Sequence, residues 1–324
     1  MHMTLTYRTI FILAPKPPFH FDGTFHKPSH FPNRLKLEDW KPGTYWQTIR
    51  FRKRLFGLMV ENKGTVTKPK LKVSVFSQSR LSREVVESLK REIAYRFELE
   101  KDLREFQALA KRDPRFYPVF KKWMGMRNSG QYNLYELLVI SVVLQNATVR
   151  RSSQMLDALL GRFGIKVIFG GKVLHAIWLP KVMARVSEQE LRRLKVGYRA
   201  KFFKRLSQDF ARGKIDELAL RNKPAEDMKK ELVRLYGVGP ETARILLFEV
   251  FHHDAAFDHV SPWQQKIYSR LFYGKRLVAA EKIRRDIQRR YGKYAMLAVH
   301  YIWEDVFWRR KHEHIPWLEK EIRL

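Results

Sequence analysis

Near residue 80 the spacing of apolar side chains changes from that of strands to that of helices. This switch restricts the chain to a sheet at its start and helices behind it. Before the switch, "YRTIFILA", "YWQTIRFR", "LFGLMVEN" and "LKVSVFS" are short, rich in β-branched and aromatic residues, and divided by Pro, Gly and Asn turns. That pattern predicts a small antiparallel sheet, interrupted by the loop-rich "KPPFHFDGTFHKPSHFPN". After it, "LSREVVESLKREIAYRFELEKDLREFQALAKRDP" takes helical period, with Ser82 ahead of Glu84 and Val85 as a helix start. From there to Leu324 almost every segment reads as helix. The expected fold class is α+β, mostly α: a small N-terminal antiparallel β domain over residues 1–85, then a two-part helical body over 86–324.

Composition narrows what such a fold can serve. The chain has 324 residues, 45% of them apolar, enough for a sizeable core. Its 64 Lys and Arg against 33 acids leave a formal charge of +31, far more than solubility requires. The partner expected is a polyanion. Basic residues run along the whole chain rather than in one anchor, which favours nucleic acid over an anionic membrane surface. With no cysteine, iron–sulfur clusters on cysteine, zinc ribbons, disulfides and thiol catalysis are excluded, and a cytoplasmic location is compatible. The opening "MHMTLTYRTIFILAPKPPF" lacks a basic n-region and a cleavage site, so it reads as a first strand, and no apolar run reaches membrane-spanning length. The surplus of long basic side chains would suit a thermophile.

One stretch carries chemistry. In "LVRLYGVGPETARILLFEV" an amphipathic helix ends, Gly237 and Gly239 bracket Val238, and Pro240 opens the next helix with Thr242 and Ala243 in its first turn. Two glycines permit a tight turn with N–H groups facing outward, and the helix N-terminus adds partial positive charge. Such a turn holds a phosphate oxygen without reading a base. Leu235, Val238, Ala243 and Leu246 fall at core spacing around it.

"LYGVGPETARILLFEVF…AAFDHV" resembles the helix–hairpin–helix–Gly/Pro–Asp motif of the base-excision DNA glycosylase superfamily. "LLVISVVLQNATVRRSSQMLDALLGRFG" resembles the family's segment with the intercalating loop. "LRRLKVGYRAKFFKRLS" resembles its Gly–Tyr/Phe–Arg stretch, and "YGKYAMLAVHYIW" its closing helix. The leading sheet is similar to the N-terminal domain of the inducible 3-methyladenine DNA glycosylases and the 8-oxoguanine glycosylases. The resemblance covers nearly the whole chain. It implies a hairpin-bearing subdomain over 132–250 and a second one from 86–131 with 251–324. It also implies a monomer acting on double-stranded DNA with a damaged base, without a membrane, and with no cofactor beyond a monovalent cation on the main chain of the hairpin.

The residues it implicates are specific. Breaking an N-glycosidic bond builds positive charge on the deoxyribose, so a carboxylate in a water-poor pocket can stabilise it and orient water. Asp258 is the candidate. Ser261, Pro262 and Gln264 form a capping box at the next helix, which puts Ser261 at the family's aspartate position and Asp258 three residues early, with Asp254 earlier still. Glu241 stands where lyase-active members carry lysine, which implies a monofunctional enzyme using water. Gly237, Val238, Gly239, Thr242, Gln145, Asn146 and Arg150 are the expected DNA contacts. Gln145 and Asn146 are those that fill the hole left by a flipped nucleotide. Glu241, Tyr135, Trp178, Tyr198 and Trp263 are candidates for the base pocket. "HHD" at His252–Asp254 and "HEH" at His312–His314 have no helical metal-ligand spacing, and no metal is expected. The substrate expected is an alkylated purine. Oxidised or deaminated bases, or a non-catalytic DNA-binding protein on the same fold, are the alternatives.

Overall fold

The computed structural model describes residues 2–29 and 33–321. Four sequence-expected strands build the sheet: β2 (Tyr7–Leu13), β4 (Thr44–Phe51), β5 (Arg54–Asn62) and β6 (Leu71–Ser77), preceded by β1 (His2–Thr4). A short β3 (Glu38–Lys41) adds an edge, and the antiparallel order is β2-β6-β5-β4-β3. One face is apolar because alternate residues point the same way, which aligns Leu58 and Val60 of β5 with Val73 and Val75 of β6. The helix Arg83–Arg96 seals that face with Leu89 and Ile93. The loop-rich stretch is more ordered than its composition implies: Phe21–Phe25 is a short helix, and Phe19, Phe21 and Phe25 are buried in the sheet core.

The body is helical as expected, with one exception. "IKVIFGGKVLHA", inside the span read as helix, forms β7 (Ile165–Phe169) and β8 (Lys172–Ala176), joined by Gly170 and Gly171, both at positive φ. The signal was local: Ile165, Val167 and Phe169 alternate with Lys166 and Ile168, and a two-residue Gly-Gly loop suits a β-hairpin. β1 pairs with β7 in parallel, making a second, three-stranded sheet. Its apolar face packs on the first sheet through Leu5, Trp46, Phe76, Val167 and Phe169.

Besides a core around Leu156, Leu159, Trp178 and Phe203, two further cores divide the helices. One is built within residues 134–251, from Leu134, Leu138 and Leu206 to Leu246 and Phe251. The other joins Leu103–Met126 to Phe248 and the closing helix Ala295–His312. Among the described residues no helix is long and apolar enough to cross a membrane.

Gly57 of β5 marks how closely the two sheets approach: a Cβ there would lie 2.4 Å from the Phe169 ring. Gly57→Val should destabilise by about 1–3 kcal/mol or more in equilibrium urea unfolding. Gly57→Val and Phe169→Ala together should cost clearly less than the sum of the two alone, because the two changes share one contact.

Candidate nucleic-acid interface and catalytic groove

The helical hairpin consists of the helices Ala225–Val233 and Pro240–Glu249. Between them the Val238 N–H donates to the Leu235 carbonyl at 3.0 Å, closing a turn. Gly237 is required twice over: its φ is +88°, and an added Cβ would come 2.9 Å from the Phe202 ring. Val238 is buried among Leu232, Ala243 and Leu246, so only its backbone can meet a ligand. Gly239 caps the second helix with extended backbone, with nothing within 4 Å of an added Cβ and no side-chain cap. The first-turn amides of Glu241 and of the buried Thr242 are thereby left without a side-chain acceptor, as an anion site needs.

A second loop meets this turn. The helix Leu134–Leu144 ends at Gln145, Asn146 takes φ +47°, and Thr148 caps the helix Val149–Phe163 by accepting from the Arg151 N–H. Gln145 Nε2 donates to the Gly237 carbonyl at 2.8 Å, tying the two loops together. Arg199 supports the junction from beneath, donating from Nε to the Val142 carbonyl at 3.0 Å and from Nη2 to the Gln145 carbonyl. It thus satisfies the last carbonyls of the helix. Arg199 is the arginine of the Gly–Tyr/Phe–Arg stretch, to which the sequence alone assigned no site role. Arg150 is exposed in the first turn of the helix Val149–Phe163.

These contacts bring together a groove of about 510 Å³ lined by Gln145, Asn146, Tyr198, Phe202, Gly237, Gly239, Pro240, Glu241, Thr242 and His259. Glu241 faces it, held by the buried Arg244 guanidinium at 2.5 and 3.2 Å, whose Nη1 also lies 3.0 Å from Met296 Sδ. Tyr198 is exposed on the rim.

The other candidates lie elsewhere. Trp178 and Tyr135 are core residues: the indole N–H donates to the Tyr135 hydroxyl at 3.0 Å, and that hydroxyl meets Ser207 Oγ at 2.8 Å. At 1% and 5% exposure neither can stack on a base, because their polar tips found each other inside. Trp263 is exposed but turned away against Trp303 and the Glu321 carbonyl.

Asp258 lies in the loop after the second hairpin helix, exposed, next to the groove-lining His259, and ion-paired with Lys229 of the first hairpin helix. The capping box on Ser261 and Gln264 is present, so Asp258 precedes the helix Pro262–Tyr273. Asp254 is mostly enclosed, its side chain 13% exposed: its carboxylate takes the Lys101 ammonium at 2.6 Å and its carbonyl takes the Met296 N–H at 2.7 Å. Burial pushes it up to about 6 against the pull of Lys101. It ties the loop after the second hairpin helix to Lys101 and to the closing helix. Among the described residues no group of His, Asp or Glu is arranged to hold a metal.

No family model matches the sequence. It is similar to the DNA-3-methyladenine glycosylase of Bacillus subtilis, 25% identical over 162 residues, 50% of this chain and 54% of that protein. It is also similar to the probable N-glycosylase/DNA lyase of Methanothermobacter thermautotrophicus, 24% identical over 207 residues, 58% of this chain and 65% of that protein. The chain thus spans about half to two thirds of the length of these curated relatives. Among solved structures, the 3-methyladenine DNA glycosylase from Archaeoglobus fulgidus aligns over 94% of this chain and 100% of its own, with TM-score 0.75 at 16% identity. The 8-oxoguanine glycosylase/lyase of Clostridium acetobutylicum aligns over 93% and 99%, with TM-score 0.68 at 18% identity. The fold is that of the helix–hairpin–helix DNA glycosylases. The chain's sequence relatives and structural neighbours are DNA glycosylases of the superfamily that its hairpin resembles.

Gly239→Asp separates anion binding from folding, since aspartate is a good N-cap and the position has room. The variant should melt at the wild-type temperature yet bind every duplex more weakly. Its log K against log salt slope should flatten by about one unit. Gly237→Val, strained and clashing with Phe202, should lose both stability and binding.

Proposed function

We propose that this chain is a monofunctional base-excision DNA glycosylase, which anchors duplex DNA on the glycine turn, flips a damaged base and hydrolyses its N-glycosidic bond. The observation that carries this reading is the groove in which the Gln145–Asn146 loop, the uncapped helix N-terminus and Glu241 meet. The loop fills the space of the departed nucleotide while the turn holds a neighbouring phosphate. An alkylated purine is the substrate best suited to this equipment. Alkylation at N3 or N7 makes the base a cationic leaving group, so the protein needs only a carboxylate to meet charge on the sugar.

Asp258 is the carboxylate assigned to that work. It sits beside His259 at the groove, and its partner Lys229 can exchange onto a phosphate when DNA binds. Glu241 cannot form a Schiff base, which removes lyase chemistry at that position. The hairpin also suits a main-chain-held monovalent cation. The Leu235 and Gly237 carbonyls each accept one hydrogen bond and keep a second lone pair, and a cation there would add positive charge behind the phosphate.

The ion pair on Asp258 favours one other reading, a DNA-binding protein on the same fold without catalysis. Release of free base from methylated, oxidised and deaminated duplexes decides between them. The wild type should free alkylated purine, Asp258→Asn should slow this by about a hundredfold or more, and borohydride should trap no covalent complex on abasic DNA. Unchanged rates in Asp258→Asn with a collapse in Glu241→Gln would move the role to Glu241. No release from any duplex, with binding intact, would leave the binding protein.

A further inference from the structure

The second hairpin helix has one open stripe. Thr242, Ala243, Arg244, Leu246, Leu247 and Phe248 are buried, whereas Glu241, Ile245 and Glu249 are not. These three follow the i, i+4, i+8 ridge, so a half-exposed track runs from the groove to Glu249, about 12 Å along the helix. Glu249 ends this track in a polar joint: Oε2 takes the Lys27 ammonium at 2.9 Å, and the same ammonium reaches Asn128 Oδ1 at 3.1 Å. Glu249 Oε1 has no partner among the described residues, and it is not a buried atom.

Lys27 opens on a second cavity of about 480 Å³, with Ser29, Gln131, Tyr132 and Ile140 on its wall. Ile140 lies on the helix that ends in Gln145, about 7.5 Å from that groove-lining residue. Two helices therefore run from the groove toward the Lys27–Glu249 joint.

We propose that Glu249 is the residue that selects a cationic base, its free Oε1 accepting an N–H of an alkylated purine while Lys27 stays on Oε2. The proposal rests on the glycosylase reading for the arrival of the base. The carboxylate is suited to the task because alkylation spreads positive charge over the purine and makes its N–H groups stronger donors, and bonds between opposite charges are the strong ones. Lys27 pairs the half-buried carboxylate through Oε2 alone, so Oε1 is in place before the substrate arrives. A neutral base forms the weaker bond to the same oxygen, and that difference is the selectivity.

The test uses the full chain and two matched duplexes, one with N7-methylguanine, which is cationic, and one with hypoxanthine, which is neutral. Single-turnover base release and duplex affinity are measured for wild type, Glu249→Gln and Lys27→Met. The wild type should prefer the cationic base. Glu249→Gln should lose about tenfold of that preference, most of the loss falling on N7-methylguanine. Lys27→Met breaks the same ion pair but keeps the carboxylate, so the preference should survive. An unchanged preference in Glu249→Gln, an equal loss in Lys27→Met, or no preference in the wild type overturns the assignment. If the wild type cleaves neither duplex yet binds the cationic one with a preference that needs Glu249, the selector stands and the glycosylase reading falls. Cleavage with a preference independent of Glu249 gives the reverse.

Discussion

The second hairpin helix is clamped at both ends by hydrogen bonds from other parts of the chain, and the position of every group in the cleft follows from that clamp. At its start, Gln145 Nε2 bonds the Gly237 carbonyl; at its end, Asn128 Nδ2 bonds the Phe248 carbonyl at 2.5 Å, beside the Lys27–Glu249 pair. Midway, the buried Arg244 reaches Glu241 on the helix and Met296 on the closing helix. A buried polar group stripped of its partner costs about 1–3 kcal/mol, so these contacts resist being broken one at a time. They fix one helix against the sheet domain, the loop before Val149 and the closing helix together.

The scarcity of acids acquires a meaning from such joints. Among the described residues six acids are buried: Glu38, Glu92, Glu98, Glu136, Glu304 and Asp305. Glu92, which burial alone would raise, is pulled down to about 2 by Arg221 and Arg96. Glu98 and Asp254 share Lys101, and the Arg127 guanidinium bonds the Lys16, Pro18 and Lys101 carbonyls where the sheet domain meets the helices. With 64 Lys and Arg against 33 acids, positive charge remains in large excess, which suits a phosphate-bearing partner.

The sheet was readable because its strands are rich in β-branched and aromatic residues and turn residues divide them. The β7–β8 hairpin met both conditions but lay inside a helical span, where the long-range pattern masked a local one. In the helical hairpin, the glycine spacing specified a positive φ at Gly237, while the ring of Phe202, distant in sequence, supplied a second reason for glycine there. Gln145, Asn146, Tyr198 and Glu241 reached one groove. Tyr135 and Trp178 did not, because an aromatic residue with a polar tip reads the same whether that tip meets a base or another side chain.

The sequence by itself determined the period switch, the glycine turn, the uncapped helix start and the absence of lysine at position 241, all properties of residues near one another along the chain. Tertiary structure decided which oxygen each carboxylate presents and to what. Asp258 is paired to Lys229, Asp254 is paired to Lys101, and Glu249 has one oxygen on Lys27 and one free. The partners lie 29, 153 and 222 positions away, and an ionised group's environment is set by distance in space, which local spacing does not encode.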